Sequence, residues 1–205
     1  MKNIFLVTHP ESIHHVENKV GGWYDTSLTE RGRHQAQQIA ARLEVLIQGG
    51  KSTITASDLL RTKETADVIG KRFGCPVSIT EDLRELSYGP AEGKPQAWLD
   101  GRLNPAPEND RLDHRNIDGA ESKREFITRI YRAVEQIVSS EQQNHIVVTH
   151  GFAMTFVIAC WIKLPIEAAG HVNFRASSGG ITHLQEDDFF RNRGVRFVND
   201  VSHIS

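Results

Sequence analysis

The 205-residue sequence predicts an α/β fold, a three-layer sandwich whose mostly parallel sheet carries helices on both faces. Apolar β-forming runs alternate with segments of helical periodicity along most of the chain. One run, "HIVVTH", is continuously apolar, as a strand buried on both sides requires. The composition, 39% hydrophobic and 24% charged, suits a chain of this length filling one core. Residues 1–205 therefore read as one domain.

The elements follow in order. The first strand covers 3–7 and ends in "THPES". Ligands of open α/β sheets bind beyond the carboxyl ends of strands, so His9 is a candidate for chemistry. After a loop containing Gly21 and Gly22, Thr29 can cap a helix whose Ala36, Ile39, Ala40, Leu43, Leu46 and Ile47 share one face. Gly49 and Gly50 end it. "STITASD" reads as a short strand leading into a helix over 58–73, stopped by Gly74 and Pro76 before a strand at 77–79.

From 88 to 119 prolines, glycines, asparagines and charges break the rhythm over a stretch too long for an ordinary connection, which predicts a functional loop or lid. A helix over 121–138 then places Phe126, Ile130, Val134 and Ile137 on one face. "HIVVTH" follows and again ends on a histidine, so two parallel strands would set His9 and His150 on one rim. Short strands are expected at 172–174, 181–184 and 195–198.

A formal net charge of -2 excludes a strongly basic nucleic-acid surface and favours a small-molecule partner. Cys75 and Cys160 have no CxxC spacing, which fits a reduced, cytoplasmic protein. No run of about 18 apolar residues can span a bilayer. Reading His9, His14, His15 and His150 as metal ligands finds no HxH or HxxxH spacing, so no metal and no cofactor are expected. Arg61 in "SDLLRTKETA" and Glu85 in "EDLRELSYGPAEG" are weak signals singly.

Together, in order, these segments resemble the histidine phosphatase superfamily, the phosphoglycerate mutase-like fold. "LVTHPES" is similar to its L-V-R-H-G-E-S, "GWYDTSLTERGRHQA" to G-W-x-D-x-x-L-T-x-x-G-x-x-Q-A, and "SDLLRTKETA" to S-x-L-x-R-A-x-x-T-A. "ELSYGPAEG" is similar to E-x-x-x-G-x-x-E-G, "DGAES" to G-G-E-S and "VVTHGF" to V-x-H-G. The resemblance implies a catalytic set of His9, Arg61, Glu85 and His150. His9 would attack phosphorus, Arg61 and His150 would hold the phosphoryl oxygens, and Glu85 would protonate the leaving alcohol. Substrate binding would fall to Thr8, His15, Gly21, Gly22, Gly151 and Arg175.

Compact length and "DGAES" point to the phosphatase branch, hence to hydrolysis of a small phosphorylated metabolite. A phosphoglycerate mutase-type transferase, or a catalytically weak relative binding an anion or a protein partner, stands as the alternative. A homodimer is left open. Two departures stand out, because Thr8 replaces the arginine before the nucleophilic histidine and Pro10 replaces the glycine after it. The lost guanidinium removes a charge-assisted contact of about 1.5–3 kcal/mol. An imidazolium at His15 is one candidate for compensation, with the guanidinium of Arg175 or Arg84 as further candidates, and a solvated charge or loop histidine is the alternative for each.

Overall fold

The computed structural model describes residues 1–204. Its six-stranded sheet is built from β1 (Lys2–Thr8), β2 (Ser52–Ser57), β3 (Val77–Thr80), β4 (Asn144–Thr149), β5 (Ile181–Glu186) and β6 (Arg193–Asp200), in the spatial order β3-β2-β4-β1-β5-β6. The pairs β3·β2, β2·β4 and β4·β1 are parallel, whereas β5 and β6 close the other edge antiparallel.

Alternation along β1 divides the core into two, as a period of two residues dictates. Ile4 and Leu6 face one side, against α5 (Lys123–Ser139) and α6 (Gly151–Trp161). Phe5 and Val7 face the other, against α2 (Glu30–Ile47) and α3 (Leu60–Phe73). Two short helices, α1 (Ile13–Val16) and α4 (Gln96–Asp100), lie in the connections. No helix among the described residues is long and apolar enough to cross a membrane.

The ends of the long helices follow from side chains. Thr29 caps α2, its hydroxyl accepting from the Gly32 N–H at 2.9 Å. Ser122 caps α5 in a reciprocal box, with its hydroxyl accepting from Glu125 N at 3.2 Å and the Glu125 carboxylate accepting from Ser122 N at 2.9 Å. Gly74 ends α3 in the left-handed region at φ 63°.

One expected strand is absent. The segment 172–174 forms no strand. Its backbone is satisfied by a side chain of α6: Phe174 N donates to the Thr155 hydroxyl at 3.0 Å, and that hydroxyl donates to Phe174 O at 3.3 Å. The α6 helix carries no amphipathic stripe, because Ala153 to Trp161 are all buried and no face is left for polar residues.

The stretch 88–119 is built rather than structureless. It holds a 3₁₀ turn at Gly89–Ala91 and α4, and its Lys94 carbonyl accepts from Val20 N at 2.9 Å. Val20, Ala91 and Leu99 form a small separate core beneath it. This packing ties the stretch to the loop that follows α1.

Candidate active site

The register of the two central strands sets the site. Thr8 pairs with Thr149, so the next residues, His9 and His150, emerge side by side, with ring centroids 5.2 Å apart and planes at 69°. The His9 N–H still donates to Thr149 O at 3.0 Å, which fixes the backbone at the strand end. Both histidines are buried, at 6% and 1% exposure.

The His9 ring is oriented from both nitrogens. Nδ1 lies 2.9 Å from the Pro10 carbonyl, which can only accept, so the proton resides on Nδ1. Nε2 accepts from Arg61 Nε at 3.3 Å and carries the lone pair. Burial first, then the Arg61 guanidinium and His15, hold His9 well below the usual histidine range. The ring is neutral at physiological pH. Pro10 lacks an N–H, yet its carbonyl fixes this tautomer.

Arg61 stands in the first turn of α3 and is 1% exposed. Its guanidinium donates to Tyr24 O at 2.8 Å and Gly22 O at 2.7 Å, so the loop bearing Gly21 and Gly22 is wrapped around it. Burial lowers its pKa to about 10, against the raising influence of Glu85, Asp25 and Glu92, and it stays cationic at neutral pH. A buried guanidinium bonded to neutral carbonyls keeps its field available to an anion.

Glu85 faces the same space from the chain after β3. Its carboxylate accepts from Leu86 N at 2.9 Å and, at the start of α6, from Phe152 N at 2.9 Å. Burial nonetheless outweighs these bonds and the guanidinium field, and its pKa is raised. Arg129 on α5 and the Trp23 indole donate to Glu85 O at 2.8 and 2.7 Å, locking the backbone. His150 shares a hydrogen bond with the Ser57 hydroxyl at 3.0 Å through Nε2, while its buried Nδ1 has no partner among the described residues.

These four side chains line one cavity of about 270 Å³ with Thr8, His15, Gly21, Gly22 and Gly151. Sequence reasoning missed His14, Tyr88, Phe152 and the Ala176–Ser178 turn as further walls. His14 enters the sequence reading only as a candidate metal ligand, and no sequence signal places it in the wall. Gly21 is required because a Cβ there would lie 2.8 Å from His14 Nε2. Gly22 adopts φ +54°, where a Cβ would also meet Glu92 at 2.9 Å.

The expected replacements for the missing arginine fare differently. The Thr8 hydroxyl donates to Ser177 O at 2.7 Å and accepts from Gly180 N at 3.0 Å, so its proton is engaged by the turn and not offered to an anion. Arg175 is exposed and lies outside the cavity, which the three residues after it line instead. Arg84 is held by Asp58 at 2.8 Å and stacks over Trp23 at 4.7 Å. His15 does reach the cavity and stacks on His9, with centroids 5.3 Å apart and planes at 16°. Burial and Arg61 lower its pKa, so the free site holds it neutral and not as the imidazolium that compensation requires.

The arrangement can place an anionic oxygen against one buried guanidinium and several neutral imidazoles, with a lone pair at His9 Nε2 and a buried carboxyl of raised pKa at Glu85. Comparison with known proteins gives consistent results. The family model for the histidine phosphatase superfamily (branch 1) matches residues 4–194. A probable phosphoglycerate mutase of Erwinia tasmaniensis is 31% identical over 212 residues, covering 100% of this chain and 95% of the relative.

The solved structure of mycobacterial glucosyl-3-phosphoglycerate phosphatase with inorganic phosphate superposes with a TM-score of 0.80 at 26% identity, covering 100% of both chains. The alpha-ribazole phosphatase of Shigella flexneri gives 0.79 at 25% identity, over 97% of this chain and 96% of that one.

Proposed function

Because the chain belongs to the histidine phosphatase superfamily, we propose that it hydrolyses phosphomonoesters of small metabolites without a metal, through a phosphohistidine at His9. The observation that carries this reading is the pairing of a neutral, Nε2-directed His9 with a buried Glu85 of raised pKa across one cavity.

In the first step the Nε2 lone pair of His9 forms a bond to phosphorus as the P–O bond to the alcohol breaks. Glu85 transfers its proton to the departing oxygen. In the second, water attacks phosphorus, its proton passes to the Glu85 carboxylate, and the N–P bond breaks to release phosphate and the neutral imidazole. In this reading Arg61 and His150, whose Nδ1 has no partner among the described residues, hold the phosphoryl oxygens through both steps.

The name of the Erwinia relative favours a second reading, transfer of the phosphoryl group to another substrate hydroxyl instead of water. Release of inorganic phosphate separates the two.

Purified protein is expected to release phosphate from both p-nitrophenyl phosphate and alkyl phosphates in the presence of EDTA. Glu85→Gln should slow the alkyl esters by about 10²–10⁴, the usual contribution of a general acid, and the activated aryl ester far less. Equal losses on both esters would assign Glu85 a structural role, and loss of turnover in EDTA would remove the metal-independent mechanism.

A further inference from the structure

His14, on the short helix α1, lies in the wall of the catalytic cavity and is 6% exposed. Its ring centroid is 6.0 Å from that of His9, with the planes at 56°. No step described so far uses it.

Two hydroxyls hold this ring from behind. Nδ1 lies 3.0 Å from Ser12 Oγ and 3.0 Å from Thr26 Oγ1. Both hydroxyl residues are buried, and the Thr26 hydroxyl has no other hydrogen bond among the described residues. A buried hydroxyl has one proton to place, and the lone pair within reach of Thr26 is that of Nδ1. Nδ1 is therefore an acceptor, which leaves the ring proton on Nε2. Burial first, then the Arg61 guanidinium, lower the His14 pKa to about 3, so the ring gains no second proton at neutral pH.

Nε2 itself carries no hydrogen bond among the described residues. Its edge of the ring faces Gly21, also in the cavity wall, where a Cβ would lie 2.8 Å from Nε2 and 3.0 Å from Cδ2. Glycine at this position keeps the N–H open to the cavity. Thr8 offers an anion neither a cation nor a free proton, and a phosphoryl dianion has more lone pairs than Arg61 and His150 can meet.

We propose that His14 donates its Nε2–H to a phosphoryl oxygen of the substrate, a neutral donor that restores part of the binding lost with the arginine that Thr8 replaces. The inference rests on the phosphatase reading and adds a residue that touches the substrate. The same proton bars His14 from acting as a nucleophile, which leaves that role to His9.

The test reads binding without turnover. In protein labelled with ¹⁵N-histidine, multiple-bond imidazole spectra show which nitrogen of His14 carries the proton, and His14→Gln assigns its signals. The Nε2–H form is expected, and added inorganic phosphate should shift Nε2 and slow exchange of its proton. Phosphate affinity is then measured by calorimetry. His14→Phe keeps an aromatic ring without a donor and should bind phosphate about tenfold more weakly, the scale of one hydrogen bond to an anion. His14→Gln sets an amide N–H near the Nε2 position and should remain within about threefold of the natural protein.

A ring that only fills space gives the reverse order, with Phe tolerated and Gln not, and that order would overturn the proposal. An Nδ1–H tautomer, or an Nε2 signal that phosphate leaves unmoved, would do the same. Hydrolysis of p-nitrophenyl phosphate with equal phosphate affinity in all three proteins keeps the phosphatase reading and removes His14 from it. The expected binding pattern without hydrolysis keeps His14 as an anion donor and rejects the phosphatase. If the natural protein neither binds phosphate nor hydrolyses the ester, both are overturned.

Discussion

At the scale of single residues the unusual feature is Thr8. Its hydroxyl is tied to the Ser177 carbonyl, so the substitution removes a cation and puts no free donor in its place. A guanidinium at this position has the cavity within reach. Thr8→Arg should therefore strengthen inhibition by inorganic phosphate about ten- to a hundredfold, the scale of one charge-assisted hydrogen bond. His15 lies face to face with His9 and is neutral in the free site, but a bound dianion favours its protonation. His15→Asn should then weaken phosphate binding in the natural sequence and do so much less in the Thr8→Arg background. Strictly additive effects would show that His15 does not stand in for the arginine.

At the scale of elements, the site depends on how α2 meets the loop after β1. Thr29 N donates to Glu11 O at 3.1 Å, and a Cβ on Gly32 would lie 1.9 Å from that same oxygen. Gly32→Ala must push the loop away, at a cost of about 1–3 kcal/mol typical of overpacking. It should also lower turnover, because Glu11 follows the Pro10 carbonyl that fixes the His9 tautomer. Gly101→Ala is the control, since the nearest atom to its Cβ is 3.7 Å away. Urea midpoints and initial rates measured on both variants check this, and equal behaviour would contradict it.

The same scale shows what the sequence could reveal. Amphipathic α2, α3 and α5 were legible from their one-sided apolar spacing, and β1 and β4 from continuous apolar runs. The α6 helix was not, because burial on all sides erases periodicity, and the false strand at 172–174 arose because Thr155 supplies the hydrogen bonds that a neighbouring strand would have made. His9, Arg61, Glu85 and His150 became legible through their order along the chain. The position of Arg175, exposed and outside the cavity lining, was not legible, since a basic residue beside the "SSGG" turn carries no sign of which way it faces.

At the scale of the whole molecule, burial of neutral histidines governs the response to acid. The sequence has ten, and His9, His14, His15, His145, His150, His183 and His203 all have lowered pKa values, with desolvation the largest cause for each. His14 falls to about 3 and His183 to about 4. Each binds a proton more readily when the chain is unfolded, so its contribution to stability is complete above about pH 6.5 and is lost as pH falls from there towards the folded value. Each such group adds up to about 1.4 kcal/mol per pH unit to the slope. Denaturant midpoints should therefore drop steeply between about pH 6.5 and 5. A flat profile over that interval would mean that these rings are not held neutral.

The proposed mechanism turns on one claim, that His9 Nε2 takes the phosphoryl group. The most direct test is to expose the protein briefly to a ³²P-labelled phosphomonoester, quench by denaturation and map the label by mass spectrometry. An acid-labile, base-stable adduct on His9, absent from His9→Ala, is the expected result. Label that persists in His9→Ala, or that resides on His14, His15 or His150, would contradict the account.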